Sequence, residues 1–386
     1  MTGSFIPYGR QWIDENDIEA VIETLKSDYL TTGPKIKEFE DNFVDYVDAK
    51  YAVAFANGTA ALHAATYAAD IEDGDEVITT PITFAATANS ILYQKGTPVF
   101  ADIDLRTYNI DPESIKEKIT DKTKAIIPVH YTGQPCEMDK IRKLADKYDL
   151  TVIEDAAHAL GAEYKDRKIG TISDMTTFSF HPVKHITTAE GGMITTNSKE
   201  IYDKLIKFRT HGITKDESEY INRSHGPWYH EQQELGYNYR ITDIQAALGI
   251  TQLEKIDKFL ARRKEIVNRY NNEFKEIDGL ITPGQLENTN SAWHIYVLQL
   301  ELDKLTADRK EIFEALREKN LGVNVHYIPV YFHPYYQSLG YEKGICQKAE
   351  RLYERIITIP LYPKMTNQQV DEVIKRIKTT INNYQK

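Results

Sequence analysis

The segment Phe178-Ser-Phe-His-Pro-Val-Lys-His-Ile-Thr-Thr-Ala-Glu-Gly-Gly192 decides how the rest of the chain is interpreted. It places Lys184 in a short polar turn between two apolar, β-like runs, Met175–Phe180 and Gly192–Thr196. An earlier run, Thr151–Asp155, also has a strand pattern and ends on a carboxylate. Ligands bind at the carboxyl ends of parallel strands in α/β sheets. The pattern therefore predicts that this lysine and this carboxylate share one site.

Lys184 and Asp155 are the two groups that a pyridoxal phosphate (PLP) enzyme requires. A lysine holds the cofactor aldehyde as a Schiff base, and an acid keeps the pyridine nitrogen protonated so that the ring accepts electrons. A cationic, partly desolvated surrounding lowers the pKa of the lysine towards the free amine. We interpret Lys184 as the Schiff-base lysine and Asp155 as its catalytic partner. The alternatives are a solvated surface lysine and a helix N-cap aspartate.

Length and composition limit the class of protein. With 386 residues the chain is too long for one ordinary domain, and we predict a large domain over residues 1–255 and a small one over 256–386. A formal net charge of −11 argues against a nucleic-acid partner, because phosphate backbones need clustered lysine and arginine.

Targeting and metal signals are weak in this sequence. Cys136 and Cys346 are the two cysteines, so no disulfide framework is implied and a cytoplasmic location is expected. The start lacks a signal-peptide pattern, and no apolar run is long enough for a bilayer, so we expect no membrane partner. His326 and His333 are too loosely spaced to argue for a metal, and none is predicted.

Short β-branched runs alternate with helical periods, which predicts an α/β fold with a mostly parallel sheet between helices. A small α+β domain is expected to follow, after one long amphipathic helix. The main expected elements are strands at Tyr51–Ala56, Glu76–Thr80, Pro98–Ile103, Ala125–His130, Trp293–Leu300 and Val323–Tyr327, and helices at Asp14–Ser27, Asn57–Ala69, Thr83–Tyr93, Cys136–Tyr148, Lys199–Gly212, Ile241–Arg263, Ala307–Lys319, Cys346–Ile356 and Asn367–Tyr384.

Several other residues suit a cofactor, each with a simpler alternative. Gly58, Thr59 and Ala60 begin a helix directly after a strand, where free N–H groups favour a phosphate, although many such helices bind nothing. Ser179 either donates to the phosphate or faces solvent. Phe84 either stacks on the pyridine ring of the cofactor or fills the hydrophobic core. His158 either contacts the oxygen on the cofactor ring or is a buried core histidine.

The motifs together resemble the nucleotide-sugar aminotransferases of the DegT type, over nearly the whole chain. The resemblance implies a type I PLP-dependent aminotransferase fold, a homodimer with shared active sites, and L-glutamate as amino donor. The segments that carry it are Asn57–Ala61, Pro81–Phe84, Glu154–Ala159, Phe178–Gly192, Gly236–Arg240 and Ala246–Gly249.

Carried over position by position, the resemblance implies a role for each matching residue. Thr59 and Ser179 would bind the phosphate, and Asn238 would reach the phosphate of the partner subunit. Lys184, Asp155, His158 and Phe84 keep the roles given above. Substrate contacts are expected from Tyr8, Thr31, Glu190, Arg240, His326 and Tyr327.

Within the family, Pro81–Asn89 and Phe180–Gly192 most resemble the branch that acts in pseudaminic acid biosynthesis. That branch aminates C4 of a UDP-linked 4-keto-6-deoxy-N-acetyl-hexosamine. His185 stands where many relatives have proline. Another branch carries histidine in place of the lysine and dehydrates sugars, and Lys184 argues against it. A different 4-keto nucleotide sugar, such as GDP-4-keto-6-deoxymannose, or a non-catalytic sugar-nucleotide sensor are the alternatives.

Overall fold

The computed structural model describes residues 4–386, and its strands coincide largely with the β-branched runs. The strands are β1 (Tyr51–Phe55), β2 (Glu76–Thr79), β3 (Thr97–Phe100), β4 (Thr123–Ile127), β5 (Thr151–Asp155), β6 (Glu163–Tyr164), β7 (Arg167–Lys168), β8 (Met175–Ser179), β9 (Gly192–Thr196), β10 (Ile213–Thr214), β11 (Glu231–Gln232), β12 (Leu280–Ile281), β13 (Thr289–Asn290), β14 (Tyr296–Leu300) and β15 (Ile356–Ile359).

The helices are amphipathic or alanine-rich, and most begin on a capping side chain that accepts a backbone hydrogen bond. They are α1 (Glu15–Lys26), α2 (Pro34–Val47), α3 (Gly58–Ala68), α4 (Ala86–Tyr93), α5 (Pro112–Lys118), α6 (Met138–Tyr148), α7 (Lys199–Arg209), α8 (Asp243–Leu253), α9 (Ile256–Phe274), α10 (Arg309–Glu318), α11 (Pro334–Ser338), α12 (Gln347–Tyr353) and α13 (Asn367–Asn382). None of the helices described is long and apolar enough to cross a membrane.

Seven strands form the central sheet, in the order β1-β9-β8-β5-β4-β2-β3. β9 pairs antiparallel with both β1 and β8, and the remaining pairs are parallel. The strands are almost entirely buried, as expected for a parallel sheet covered by helices on both faces. The predicted mostly parallel α/β sheet is therefore confirmed.

A second hydrophobic core lies in the C-terminal part of the chain. Strands β12, β14 and β15 form a small antiparallel sheet, against which α9, α10 and α13 pack. Ile6 from the N-terminal arm also belongs to this core. The arm is held by backbone bonds from Ile6 N–H to the Asn320 carbonyl (3.0 Å) and from Gly322 N–H to the Ile6 carbonyl (2.7 Å). The division at residues 255 and 256 stays a prediction.

Three predicted elements differ from the structure. The helix expected over Ile241–Arg263 is two helices, α8 and α9, which meet at Glu254–Lys255. Val323–Tyr327 is irregular and pairs only through the bridge between Asn324 and Thr358. The helix expected over Cys346–Ile356 ends at Tyr353, and Ile356 already belongs to β15, which completes the small sheet. Burial in that sheet overrides the local helical pattern.

Candidate active site

A cavity of about 850 Å³ opens at the carboxyl ends of the parallel strands. Asn57 follows β1, Phe84 follows β2, Val129 follows β4, Asp155 ends β5 and Ser179 ends β8, and all of them line the cavity. Twelve of the predicted site residues lie in its wall, namely Tyr8, Gly58, Thr59, Ala60, Phe84, Asp155, His158, Ser179, Lys184, Glu190, His326 and Tyr327.

Asp155 is buried and fixed by two hydrogen bonds. Its Oδ2 accepts from the Thr87 hydroxyl (2.7 Å) and its Oδ1 from the backbone N–H of Ala157 (3.1 Å). Thr87 is in turn 2.8 Å from the Thr83 hydroxyl. No helix follows Asp155, so the N-cap alternative does not apply. The carboxylate is held in one orientation at the edge of the cavity.

Lys184 lies in the loop between β8 and β9, and its amine has no hydrogen-bond or salt-bridge partner within residues 4–386. Backbone bonds from Phe180 N–H to the Gly191 carbonyl (2.9 Å) and from Lys184 N–H to the His181 carbonyl (2.9 Å) hold the loop. Burial lowers the pKa of Lys184 to about 8, although the nearby Asp155 carboxylate raises it. Lys184 is therefore a cavity lysine whose amine loses its proton far more readily than that of an ordinary lysine, and not a solvated surface group.

The phosphate end of the predicted site is formed by α3 and β8. Ala60 N–H already donates to the Asn57 side chain (2.8 Å), whereas the N–H groups of Gly58 and Thr59 have no acceptor in the described chain. A Cβ at Gly58 would lie 2.9 Å from the Ser179 Cβ, so glycine permits the close approach of these segments. The backbone N–H groups of Gly58 and Thr59, and the hydroxyls of Thr59 and Ser179, are therefore available to donate to an anion at the N-terminus of α3.

His158 is buried beside Lys184. Its Nε2 is 3.1 Å from the Tyr327 hydroxyl, and its Nδ1 has no partner. Burial, and next the positive charge of Lys184, hold the pKa of His158 well below its usual range, so the ring is uncharged. An uncharged imidazole next to a tyrosine suits a hydrogen bond to a ring oxygen, the role predicted for His158.

Phe84 is 63% exposed, which excludes the alternative that it fills core. Its ring lies on the cavity wall, 6.3 Å between centroids from Tyr327. An aromatic ring left open to a cavity suits stacking on a flat ligand.

Three predicted residues do not line this cavity. Thr31 and Asn238 are exposed and make isolated backbone bridges to Thr242 and Thr210. Arg240 is partly buried but also lies outside the cavity wall. The structure of one chain therefore does not bring these side chains to the site.

The polar cavity residues that sequence reasoning missed include Thr87, Tyr239, His294 and Asn324. Thr87 follows Phe84 by one helical turn, which is a signal that could have identified it. His294 and Asn324 come from C-terminal segments with no motif spacing to β5 or β8. Within residues 4–386, no group of three or more His, Cys, Asp or Glu side chains is arranged to hold a metal ion.

The residues present fit PLP. A fixed carboxylate, an unpartnered lysine amine, an open aromatic ring and an anion site at a helix N-terminus line one cavity. They match, in order, the ring nitrogen, the aldehyde, the ring face and the phosphate of the cofactor.

The lowered pKa of Lys184 generates a prediction about covalent capture. Because a neutral amine attacks an aldehyde, the initial rate of labelling by PLP and borohydride should be full above pH 8 and fall as pH drops below about 8. Peptide mapping should place the pyridoxyl group on Lys184, and Lys184→Ala should lose it. A midpoint at the ordinary lysine value of 10.5, or a label on another lysine, would contradict the assignment.

Comparisons with known proteins agree with this geometry. Residues 11–378 match the model of the DegT/DnrJ/EryC1/StrS aminotransferase family. The chain is 45% identical to the spore coat polysaccharide biosynthesis protein SpsC of Bacillus subtilis, covering 98% of this chain and 97% of that protein. It is 39% identical to the UDP-4-amino-4,6-dideoxy-N-acetyl-beta-L-altrosamine transaminase of Campylobacter jejuni, covering 93% of both.

A solved structure supports the same conclusion. Helicobacter pylori PseC, described as an aminotransferase of pseudoaminic acid biosynthesis, superposes with a TM-score of 0.92 at 33% identity, over 98% of this chain and 100% of that one. Similar solved chains include PLP and PMP forms of one sugar aminotransferase. The fold is that of PLP-dependent aminotransferases, and the protein is a PLP-dependent enzyme of the DegT/DnrJ/EryC1/StrS aminotransferase family.

Proposed function

We propose that this enzyme transfers an amino group from L-glutamate to C4 of a UDP-linked 4-keto-6-deoxy-N-acetyl-hexosamine, as in the pseudaminic acid pathway. The observation that carries the proposal is the placement of the unpartnered Lys184 amine and the fixed Asp155 carboxylate in one cavity. The choice of sugar and nucleotide follows the name of the Campylobacter relative. A cytoplasmic location remains a prediction.

Asp155 and Lys184 have separate roles in the proposed reaction. Bound PLP supplies the electron sink for the reacting carbon. Asp155 holds the proton on the pyridine nitrogen, and Thr87 and Ala157 keep its carboxylate aimed. The Lys184 amine, with a pKa of about 8, takes and returns the proton at the substrate carbon near neutral pH.

Part of the cavity wall suits an uncharged sugar. Tyr8, Asn324, His326 and Tyr327 line it. Burial lowers the pKa of His326 to about 4, so this ring is neutral near pH 7. Neutral donors and acceptors match the hydroxyl, keto and acetamido groups of the proposed sugar.

The active site is proposed to be shared by two subunits of a homodimer. Lys184 is the one lysine or arginine in the described cavity wall, whereas a nucleotide sugar carries two phosphates. Trp228 and Leu235 are 76% and 74% exposed on the irregular segment that leads to Asn238 and Arg240. An exposed apolar segment next to unused polar groups is typical of an interface, and two-fold pairing would complete both sites at once.

The substrate is tested by offering the purified enzyme L-glutamate and a panel of UDP- and GDP-linked 4-keto-6-deoxy sugars. We expect the UDP-linked N-acetylated sugar to gain one amine, read by mass spectrometry, and the product configuration at C4 to be read by NMR. Preferential amination of GDP-4-keto-6-deoxymannose would favour the alternative substrate. Binding of nucleotide sugars without any amination would favour the sensor.

Replacing Asp155 with asparagine keeps the shape of the side chain but removes its charge. The pyridine nitrogen then loses the partner that keeps it protonated, and the transamination rate should fall by about 10²-fold or more. The matched control is Asp104→Asn, which removes an aspartate paired with the exposed Arg106 outside the cavity. Near-normal turnover of Asp155→Asn would disprove this role.

Mixing two inactive variants tests the shared site. Lys184→Ala protomers are combined with protomers that carry both Asn238→Ala and Arg240→Ala. If the site is shared, each mixed dimer has one site with both lesions and one intact site, so activity should return to roughly a quarter of the wild-type value at random pairing. Subunit exchange is verified with two affinity tags. Confirmed exchange without recovered activity would exclude sharing.

A further inference from the structure

His294 lies in the cavity wall next to His158. It is 4% exposed, and the centroids of the two imidazole rings are 4.3 Å apart. The Nδ1 atoms of both rings are buried without a hydrogen-bond partner. The contact between these two residues is therefore a packing of ring on ring.

The backbone that carries His294 is held from two directions. Its N–H donates to the Thr132 carbonyl (2.8 Å), and its carbonyl accepts from Arg263 Nη1 (2.9 Å). Arg263 is 1% exposed and also donates to the carbonyls of Trp293 (3.2 Å) and Leu361 (3.1 Å). A buried guanidinium is costly unless it is hydrogen-bonded, so these carbonyls and Arg263 fix each other.

Two residues at the same junction have left-handed backbone. Trp293 has a φ of 49° and Thr132 a φ of 61°, both in the left-handed region that bulky and β-branched residues avoid. Such strained residues persist where the surrounding structure fixes them, often next to functional sites. His294 follows Trp293 directly and bonds the Thr132 carbonyl through its backbone N–H. Both strained residues therefore help to fix the position of the His294 ring.

We propose that His294 is a positioning residue that sets the orientation of the His158 ring, and through it the contact between His158 and the bound cofactor. The proposal rests on the PLP site described above and on the role predicted for His158. It assigns a role at the cofactor site to a residue from the C-terminal part of the chain.

Charge supports this packing role. Burial is the largest cause that lowers the pKa of His158 and of His294, and the positive charge of Lys184 acts in the same direction on both. His185 and Arg263 add to the effect on His294. Both rings are therefore uncharged and pack without repulsion. A ring without hydrogen-bonding nitrogens should then serve nearly as well as histidine at position 294.

The test is a double-mutant cycle on the PLP-loaded enzyme with His158→Ala, His294→Ala, His294→Phe and His294→Gln. Visible circular dichroism of the bound cofactor reports its orientation, and a single turnover with L-glutamate reports the rate. His63→Ala is the matched control, because His63 is an equally buried histidine (4% exposed) outside the cavity wall.

We expect His294→Ala and His294→Gln to weaken the dichroic band and to slow the half-reaction roughly tenfold. The concentration of L-glutamate for half-maximal rate should stay within about twofold, because in this proposal His294 acts on the rate through His158 and not on the binding of the donor. His294→Phe and His63→Ala should resemble the wild type. In the His158→Ala background, His294→Ala should have no further effect, because it acts through the ring that is already removed.

Three results would overturn the proposal: independent, multiplicative effects of His158→Ala and His294→Ala, an equal loss in His294→Phe and His294→Ala, or an unchanged band in His294→Ala. If His294→Ala does not fold, the comparison of His294→Gln with His294→Phe decides between ring packing and hydrogen bonding. A wild-type enzyme that shows the band but does not react with L-glutamate would disprove the proposed donor, and the dichroism cycle would still decide the role of His294.

Discussion

The unpartnered amine of Lys184 is the constraint on which the rest of the site depends. A lysine normally reaches solvent or pairs with an acid, and both keep the pKa of its amine at about 10.4 or above. Here the loop between β8 and β9 is closed by backbone hydrogen bonds, and the amine faces a cavity in which burial lowers its pKa to about 8. Asp155 is close enough to oppose this shift, but its oxygens are already engaged by Thr87 and Ala157. The amine is therefore available to a ligand.

The buried histidines follow from the same constraint. A cavity that must hold a lysine with a low pKa cannot also hold many charges, yet it needs polar groups that recognise a cofactor and a sugar. His158 and His326 meet both requirements, since burial and Lys184 lower the pKa of each ring. A neutral imidazole keeps one donor and one acceptor. The site is thus rich in hydrogen-bonding groups without adding charge to the wall.

The sequence predicted the cofactor end of the site better than its other half. Asp155 was predictable because it ends a buried strand, and Lys184 because it lies in the loop between two buried strands of the same sheet. His294 was not, because its place depends on Arg263 and on left-handed backbone at Trp293, neither of which has a local signature. Val323–Tyr327 has the composition of a strand but is irregular. Its residues 324–327 line the cavity instead of pairing along a sheet, and this tertiary position has no local signature either.

The charges of the cavity wall bear on the proposed homodimer. The chain has a formal net charge of −11, and its cavity wall combines Lys184 with two carboxylates, Asp155 and Glu190. A nucleotide diphosphate would meet a surface of the wrong sign if this wall were the whole site. The N-terminus of α3 suits the phosphate of the cofactor, but the two phosphates of a sugar nucleotide would need further cations. Arg240 lies outside the wall in its own chain, after a segment on which Trp228 and Leu235 are exposed. If the proposed two-fold pairing buries these side chains and places Arg240 of one subunit at the cavity of the other, it would add positive charge to both sites.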